Sequence, residues 1–308
     1  MKHESVLLKE SIEALNIKKK GIYVDGTLGG GGHSAKIAEA LEGTGQLIVI
    51  DQDPYAIGRG KERLKAYNNI TFVENNFSNI AIILENLNIE KIDGFLMDLG
   101  VSSFQLDDGQ RGFSYHKDAA LDMRMNPNIA VTAARIINSY SKEDLAQIFR
   151  LYGEEPFAWQ IAKNIEKKRS IKPIENTLEL VEIIKESMTE KEKKKKGHPG
   201  KRVFQALRIE VNRELSALEK ALEDSEKYLS IGGRLVVITF HSLEDRIVKH
   251  FIKDKEKPCK CPPDFPVCTC GKVSTLRNVT RKVILPAEDE LVRNNRARSA
   301  KLRVAEKI

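Results

Sequence analysis

No stretch of this 308-residue sequence is long and apolar enough to span a membrane. The most apolar runs, QLIVI and RLVVITF, fall far short of the roughly 20 residues a bilayer requires. The opening MKHESVLLKESIEAL lacks an uninterrupted apolar core of signal-peptide length and reads as an amphipathic start. A soluble, cytoplasmic protein with no membrane partner is expected. Cysteine is missing everywhere except in CKCPPDFPVCTC, which holds Cys259, Cys261, Cys268 and Cys270. In a reducing compartment, two C-x-C pairs across a Pro-rich loop favour a metal clip over disulfides. C-x-C is not the usual C-x-x-C zinc spacing and no histidine separates the pairs, so four reduced surface thiols are the competing reading. There is no internal repeat. The one low-complexity run, EKEKKKKGHPGKR from Glu190 to Arg202, reads either as a solvated loop or as a phosphate-contacting arm.

What is present supports a folded chain. Hydrophobic residues make up 41% of the sequence, enough for a real core. The formal net charge of +7 and pI of about 9.0 admit a polyanionic partner without requiring one. Up to about residue 114, short apolar runs alternate with helical patterns: IYVD, QLIVID, ITFVENNF and IDGFLMDLG, with helices from Pro54 to about Tyr67 and from about Ile80 to Leu87. That alternation predicts parallel βαβ units with ligand sites at the strands' carboxyl ends. From YHKDAALDMRM to about Arg208 the strand signal gives way to helical periodicity, with capping patterns at Ser141/Asp144 and Asn176/Glu179. Strands return in GGRLVVITF, followed by a helix expected to be capped by Ser242 with Asp245 at its third position, and in SAKLRVAEKI. The expected architecture is one α/β sheet, residues 1–114 and 209–308, interrupted by an all-helical insertion, residues 115–208.

Each expected strand end carries a polar residue suited to part of a nucleoside ligand. Asp25 closes the first strand before GTLGGGGHS, where Gly29 to Gly32 allow close backbone approach and Ser34 is available as a helix cap. Asp51 closes the second strand and suits ribose hydroxyls, with Asp53 as the competing acid. Phe77 follows the third strand and suits a purine face, or an ordinary core. Asp98 ends the fourth strand before small residues. Two cofactor classes fit these features. A nicotinamide dinucleotide needs G-x-G-x-x-G, which Gly29-x-Gly31-x-x-Ser34 only approximates, and no Tyr-x-x-x-Lys pair stands near the strand ends. S-adenosylmethionine suits an acid followed by alternate glycines, here Asp25, Gly29 and Gly31, with Thr27 where a first glycine often sits. A non-catalytic RNA-binding factor on the same fold is a third possibility.

The strings VDGTLGGGGHS, IDQD, DLGVSSFQLDDGQRGFSY, LDMRM, RVFQALRIEVNREL, FHSLEDRIVK and RARSAKLR together resemble the bacterial MraW (RsmH) methyltransferase family over nearly the whole chain. The resemblance implies a class I (Rossmann-like) methyltransferase sheet with an inserted helical substrate-recognition domain. It implies methyl transfer from S-adenosylmethionine, giving S-adenosylhomocysteine, to the N4 amine of a cytidine in the decoding region of 16S ribosomal RNA, within the small ribosomal subunit. It also implies cofactor contacts at Gly31, Gly32, His33, Asp51, Phe77, Asp98 and Gln105. Asp98, or a main-chain carbonyl in its loop, is the catalytic candidate as acceptor for the target amine, and holding the donor's amino group is the competing role for Asp98. Lys201, Arg202 and Arg208 of the insertion are the candidate RNA contacts. Phe104, Gly200 and Asn295 depart from the family's usual Pro, Ala and Pro. The fourth strand ends in DLGV rather than the D/N/S-P-P-aromatic motif of other amino-methyltransferases, so their catalytic roles do not transfer.

Overall fold

The computed structural model describes residues 4–193, 197–262 and 269–308. After α1 (Leu8–Leu15), strand and helix alternate: β1 (Ile22–Asp25), α2 (Gly32–Leu41), β2 (Gln46–Asp51), α3 (Pro54–Arg63), β3 (Ile70–Glu74), α4 (Ile80–Asn86) and β4 (Ile92–Asp98). Helices follow: α5 (Ser103–Asp107), α6 (Ala133–Ser139), α7 (Lys142–Leu151), α8 (Ala158–Arg169), α9 (Thr177–Glu186), α10 (Glu190–Lys193), α11 (Lys201–Asn212) and α12 (Glu214–Tyr228). The chain closes with β5 (Leu229–Thr239), α13 (Ser242–Glu256), β6 (Leu276–Asn278), α14 (Glu288–Arg293) and β7 (Lys301–Lys307). Among the described residues, no helix is long and apolar enough to cross a membrane.

The strands form one sheet in the order β3-β2-β1-β4-β5-β7-β6. Strands β1 to β5 run parallel, and β7 is antiparallel to β5 and to β6. This is the class I methyltransferase sheet with an interrupting helical segment. Alternation along the strands sends side chains to two faces. Ile48, Ile50, Phe95, Met97 and Val237 pack with Ile80 and Leu84 of α4, Leu222 of α12 and Val248 of α13. Leu47, Val49, Leu96 and Val236 pack with Leu15, Ile37, Leu41 and Ile57 on the other face. Both faces are covered, so the parallel strands read as nearly continuous apolar runs.

The chain divides into two compact units, Met1–Gly100 with Leu215–Ile308, and Val101–Glu214. The sequence-based boundaries at 114/115 and 208/209 lie inside the second unit. Among the described residues, all seven strands of the sheet belong to the first unit. The second has its own apolar core, in which Phe149, Ile161, Ile165, Leu180, Ile184 and Leu207 are fully buried. Its LDMRM string is a polar latch. Arg124 grips the Asp122 carboxylate with two nitrogens at 2.9 and 2.7 Å and donates to the carbonyls of Pro127 and Ile129. Asn212 donates to the carbonyl of Met123 and accepts from the main chain of Met125 at 2.7 Å. The Arg124 bonds outweigh the burial of Asp122 and hold its carboxyl below the usual range.

Two helix starts differ from expectation. Helix α2 begins at Gly32, with Gly31 as its cap in the left-handed region (φ 72°), rather than at Ser34. The side chain of Ser34 turns instead to Asp25. Helix α13 is capped by His241 with Glu244 at its third position, one residue before the expected Ser242/Asp245 pair. There Asp245 serves the sheet, pairing with Arg303 at 2.7 Å and Lys301 at 3.1 Å on β7. The Asn176/Glu179 and Ser141/Asp144 caps form as expected.

Phe95 lies fully buried in β4 at the centre of the sheet. Truncation to alanine removes a ring that neighbours cannot refill, so Phe95→Ala is expected to cost about 3–5 kcal/mol. Chemical denaturation checks this, and a loss below about 1 kcal/mol would show that the core collapses around the gap.

Candidate active site

In a parallel sheet, ligands bind beyond the carboxyl ends of the strands where the strand order reverses. Here that point lies between β1 and β4, which pair through Asp25 and Leu96. The turn leaving β1 is stitched to three strands. Gly26 donates to the carbonyl of Leu96 at 2.9 Å, and Leu28 to that of Ile50 at 3.0 Å. Gly29 donates to Oδ2 of Asp51 at 2.8 Å, and the main chain of Asp98 donates to Oγ1 of Thr27 at 2.6 Å. Asp25 is buried and accepts from Ser34 Oγ at 2.5 Å and from the Thr27 main chain at 3.1 Å. Burial pushes the Asp25 carboxyl up, and the Ser34 and Thr27 bonds pull against that.

The glycines of this turn have distinct jobs. A Cβ on Gly26 would stand 2.8 Å from the Phe95 ring and 3.2 Å from Cβ of Phe77, so the turn passes too close for a side chain. Gly31 needs its positive φ to start α2. A Cβ on Gly32 would overlap Ser5 Oγ at 1.9 Å, which makes this glycine a seat for the N-terminal segment. Arg63 donates to the carbonyl of Gly30. His33 is buried; its Nε2 lies 3.1 Å from the carbonyl of Val6 and its Nδ1 3.7 Å from Oδ2 of Asp98. The sequence pattern of the loop pointed to a ligand, but the Ser5–Leu7 segment packed against it was not legible there.

Asp51 and Asp98 sit at the ends of β2 and β4. Asp51 accepts from Gly29 and, through Oδ1, from the main chain of Asp53 at 2.9 Å. Burial outweighs these bonds and raises its pKa to about 6, with Asp53 and Asp25 adding repulsion. The competing acid, Asp53, is itself buried and caps α3 by accepting from the Tyr55 main chain at 3.0 Å. Asp98 is divided. Its side chain keeps 24% of its surface, yet Oδ1 is buried without a hydrogen-bond partner. Burial first, then the charges of Asp25, Glu244 and Glu290, push its carboxyl well above the ordinary range. A buried acceptor with no donor is costly, and a ligand that brings an N–H or O–H there relieves it.

The remaining expected residues are distributed as follows. Phe77 opens the short turn after β3, half-buried, with its Cβ beside Gly26. Gln105 belongs to the second unit, where it completes the capping box of α5 with Ser102 at 3.0 and 3.3 Å. Lys201 and Arg202 are exposed at the start of α11. Arg208 is held by both oxygens of Glu214 at 2.8 Å and is only 16% exposed. His241 accepts from the Glu244 main chain at 3.4 Å; its Nε2 stands 3.0 Å from the Glu244 carboxylate without hydrogen-bond alignment. Lys194, Lys195 and Lys196 of the basic run, and Cys268, lie outside the described residues.

The group of carboxylates at a switch point, with one orphaned oxygen, fits a nucleoside carrying a cationic amino group. The model of the MraW methylase family matches residues 1–308. The chain belongs to that family. Ribosomal RNA small subunit methyltransferase H of Clostridium botulinum (strain Loch Maree) is 57% identical over 307 residues, covering 100% of this chain and 99% of the relative. The protein of the same name from Lachnospira eligens is 54% identical, covering 100% and 98%. Among solved structures, a putative rRNA-methylase from Clostridium thermocellum aligns over 100% of both chains at 12% identity and a TM-score of 0.47.

The raised Asp51 pKa gives a direct check on the burial of this strand end. Carboxyl carbon-13 titration is expected to place its midpoint near 6, protonated below and ionised above. A midpoint near 4 would mean that water reaches both oxygens and that desolvation is not the controlling cause.

Proposed function

We propose that this chain transfers a methyl group from S-adenosylmethionine to the N4 amine of a cytidine in the decoding region of 16S ribosomal RNA, acting in the cytoplasm on the small ribosomal subunit. The observation that supports this most is family membership over the whole chain, together with 57% identity to a relative named for small-subunit ribosomal RNA methylation.

In this reading Asp51 takes the ribose hydroxyls. Each of its oxygens accepts one main-chain N–H and retains a second lone pair. Phe77 lies along the adenine. Gly31, Gly32 and His33 border the methionine part, with the Gly31 N–H turned to the carbonyl of Leu28 and the main-chain N–H groups of Gly32 and His33 at the start of α2, where the helix dipole favours a carboxylate. The His33 ring is engaged with Val6 and Asp98 and acts as a support. Bound in this way, S-adenosylmethionine would supply an electrophilic methyl group on a sulfonium.

The chain's own part is alignment and proton management. The cytosine amine is a poor nucleophile because its lone pair is delocalised into the ring, and an acceptor on its N–H helps the nitrogen pyramidalise. Asp98 Oδ1 is the acceptor assigned here, serving the target amine or the donor's ammonium. Burial, with the charges of Asp25, Glu244 and Glu290, raises its pKa, and a cationic or N–H-donating ligand at Oδ1 favours the ionised form and pulls against that shift. Aligning two bound reactants supplies much of the rate. A base within folded RNA must be splayed out to reach the pocket. The helical unit takes the RNA, with Lys201 and Arg202 on phosphates. Arg208 is committed to Glu214 and instead supports the helix.

Labelled S-adenosylmethionine incubated with naked 16S rRNA or assembled small subunits, followed by nucleoside mapping, is expected to give N4-methylcytidine. Label on another atom, or on neither substrate, rejects the reading. Asp98→Asn is expected to lower transfer by about 100-fold or more. Cofactor affinity retained in that variant assigns Oδ1 to the target amine, affinity lost in parallel assigns it to the ammonium, and undiminished transfer sinks both roles.

Neutralising Lys201 and Arg202 together is expected to flatten the dependence of log K on log salt by roughly 1.4–1.8, the loss of two phosphate contacts. Titrations of RNA binding over a range of salt measure it. An unchanged slope would remove both residues from the RNA interface.

A further inference from the structure

The cysteine segment is the one motif that the methyl-transfer reading leaves unused. It lies in the connection between α13 and β6, residues 257–275, whose described residues include no helix or strand. Connections longer than about 12–15 residues without secondary structure are uncommon and usually carry a function or a staple. The ends of this one are tied down. Thr275 donates to the carbonyl of Lys255 at 3.0 Å, Ser274 Oγ to that of Glu256 at 2.6 Å, and the Asn278 main chain to the Glu256 carboxylate at 3.0 Å.

Between those ends, Cys259, Cys261 and Cys270 converge. Their three sulfur atoms all lie within 4.8 Å of one another. Two of these residues come from one end of the connection and one from the other, so their approach is a tertiary event. Tetrahedral thiolates around zinc, with Zn–S of about 2.3 Å, place sulfurs about 3.8 Å apart. Side-chain rotation of under about 1 Å closes the present arrangement to that spacing. The main-chain groups of Thr269 and Cys270 also hydrogen-bond to Cys261, the support that orients a thiolate ligand. Lys257, Lys260 and Lys272 are exposed on the same connection and offset the net negative charge of three thiolates on a divalent ion.

We propose that Cys259, Cys261 and Cys270 bind a single zinc ion, which clips the α13–β6 connection against the edge of the sheet. Soft thiolates in a reducing compartment select zinc over oxygen-loving cations, and each thiol that ligates the ion gives up its proton. The assignment is made on these three thiols alone, since Cys268 lies outside the described residues. The site is structural and separate from methyl transfer; its ligands stand on the connection leading to β6, on the edge of the sheet beyond β7.

The test uses the full chain purified with reductant and without chelator. Elemental analysis is expected to find about one zinc per chain, and an organomercurial added to the wild-type protein is expected to release it. Metal-free protein titrated with cobalt(II) is expected to saturate at one equivalent, with a thiolate charge-transfer band that added zinc abolishes. Cys261→Ser and Cys270→Ser are expected to weaken metal binding by about 100-fold or more, since even outer ligand-supporting groups are worth 10–100-fold. Absence of saturable metal binding in the wild-type protein overturns the proposal. So does binding that survives both substitutions, or peptide mapping that finds these cysteines disulfide-linked after reductive purification. The wild-type measurements stand even if a serine variant fails to fold.

Discussion

A carboxylate at the end of a buried parallel strand loses its water, and the structure must return hydrogen bonds or leave it partly protonated. Asp25, Asp51 and Asp98 face that constraint side by side. Asp25 receives Ser34 and Thr27, and Asp51 receives Gly29 and Asp53, so the turn between β1 and α2 is shaped by the donors these acids need. The bonds from Thr27, Gly29 and Ser34 fix the chain direction into α2, while Ser5 lies over Gly32 and the carbonyl of Val6 meets His33. Asp98 is the exception. Its Oδ1 lacks a protein partner, and Asp25, Glu244 and Glu290 add repulsion. A site in which two acids are satisfied internally and a third is left wanting a donor is built to receive one from outside.

The helical unit follows a different logic. Its core is apolar and ordinary, but its connections are held by charged side chains satisfied within the unit. Arg124 closes on Asp122 and two carbonyls, and Arg208 closes on Glu214. Half-buried guanidinium groups of this kind order a loop at little net stability, because desolvation offsets much of the attraction. What they contribute is a defined shape for the connections of the unit. The basic groups Lys201 and Arg202 are left exposed at the start of α11.

Particular residues show how far the sequence could be read. Asp51 directly follows the apolar run and so reads as the strand-end acid, while the structure makes Asp53 a helix cap. The capping box at Asn176 and the simple cap at Ser141 are legible because a cap and its third residue are neighbours. The cap of α13 was misplaced by one residue because histidine is not an expected cap, and only the Glu244 geometry singles it out. Charge carries no partner in a one-dimensional string, and only the structure pairs Arg208 with Glu214. The strand β6 escaped notice because three residues give no periodicity to detect.

The sequence by itself determined the alternation of strands and helices, the acids at the strand ends, the helical interruption and the family, because each is written in residues close together or in strings matched as a whole. Tertiary structure alone decided which acid would be left without a partner, which glycine would seat a distant serine, and which cysteines would meet. The Leu7 main chain finds the Glu290 carboxylate across 283 residues, and that bond brings one of the charges that hold Asp98 toward its protonated form. Local spacing fixes what neighbours along a chain can do for each other. The burial that shifts a carboxyl or gathers three thiols exists only once distant segments have excluded water together.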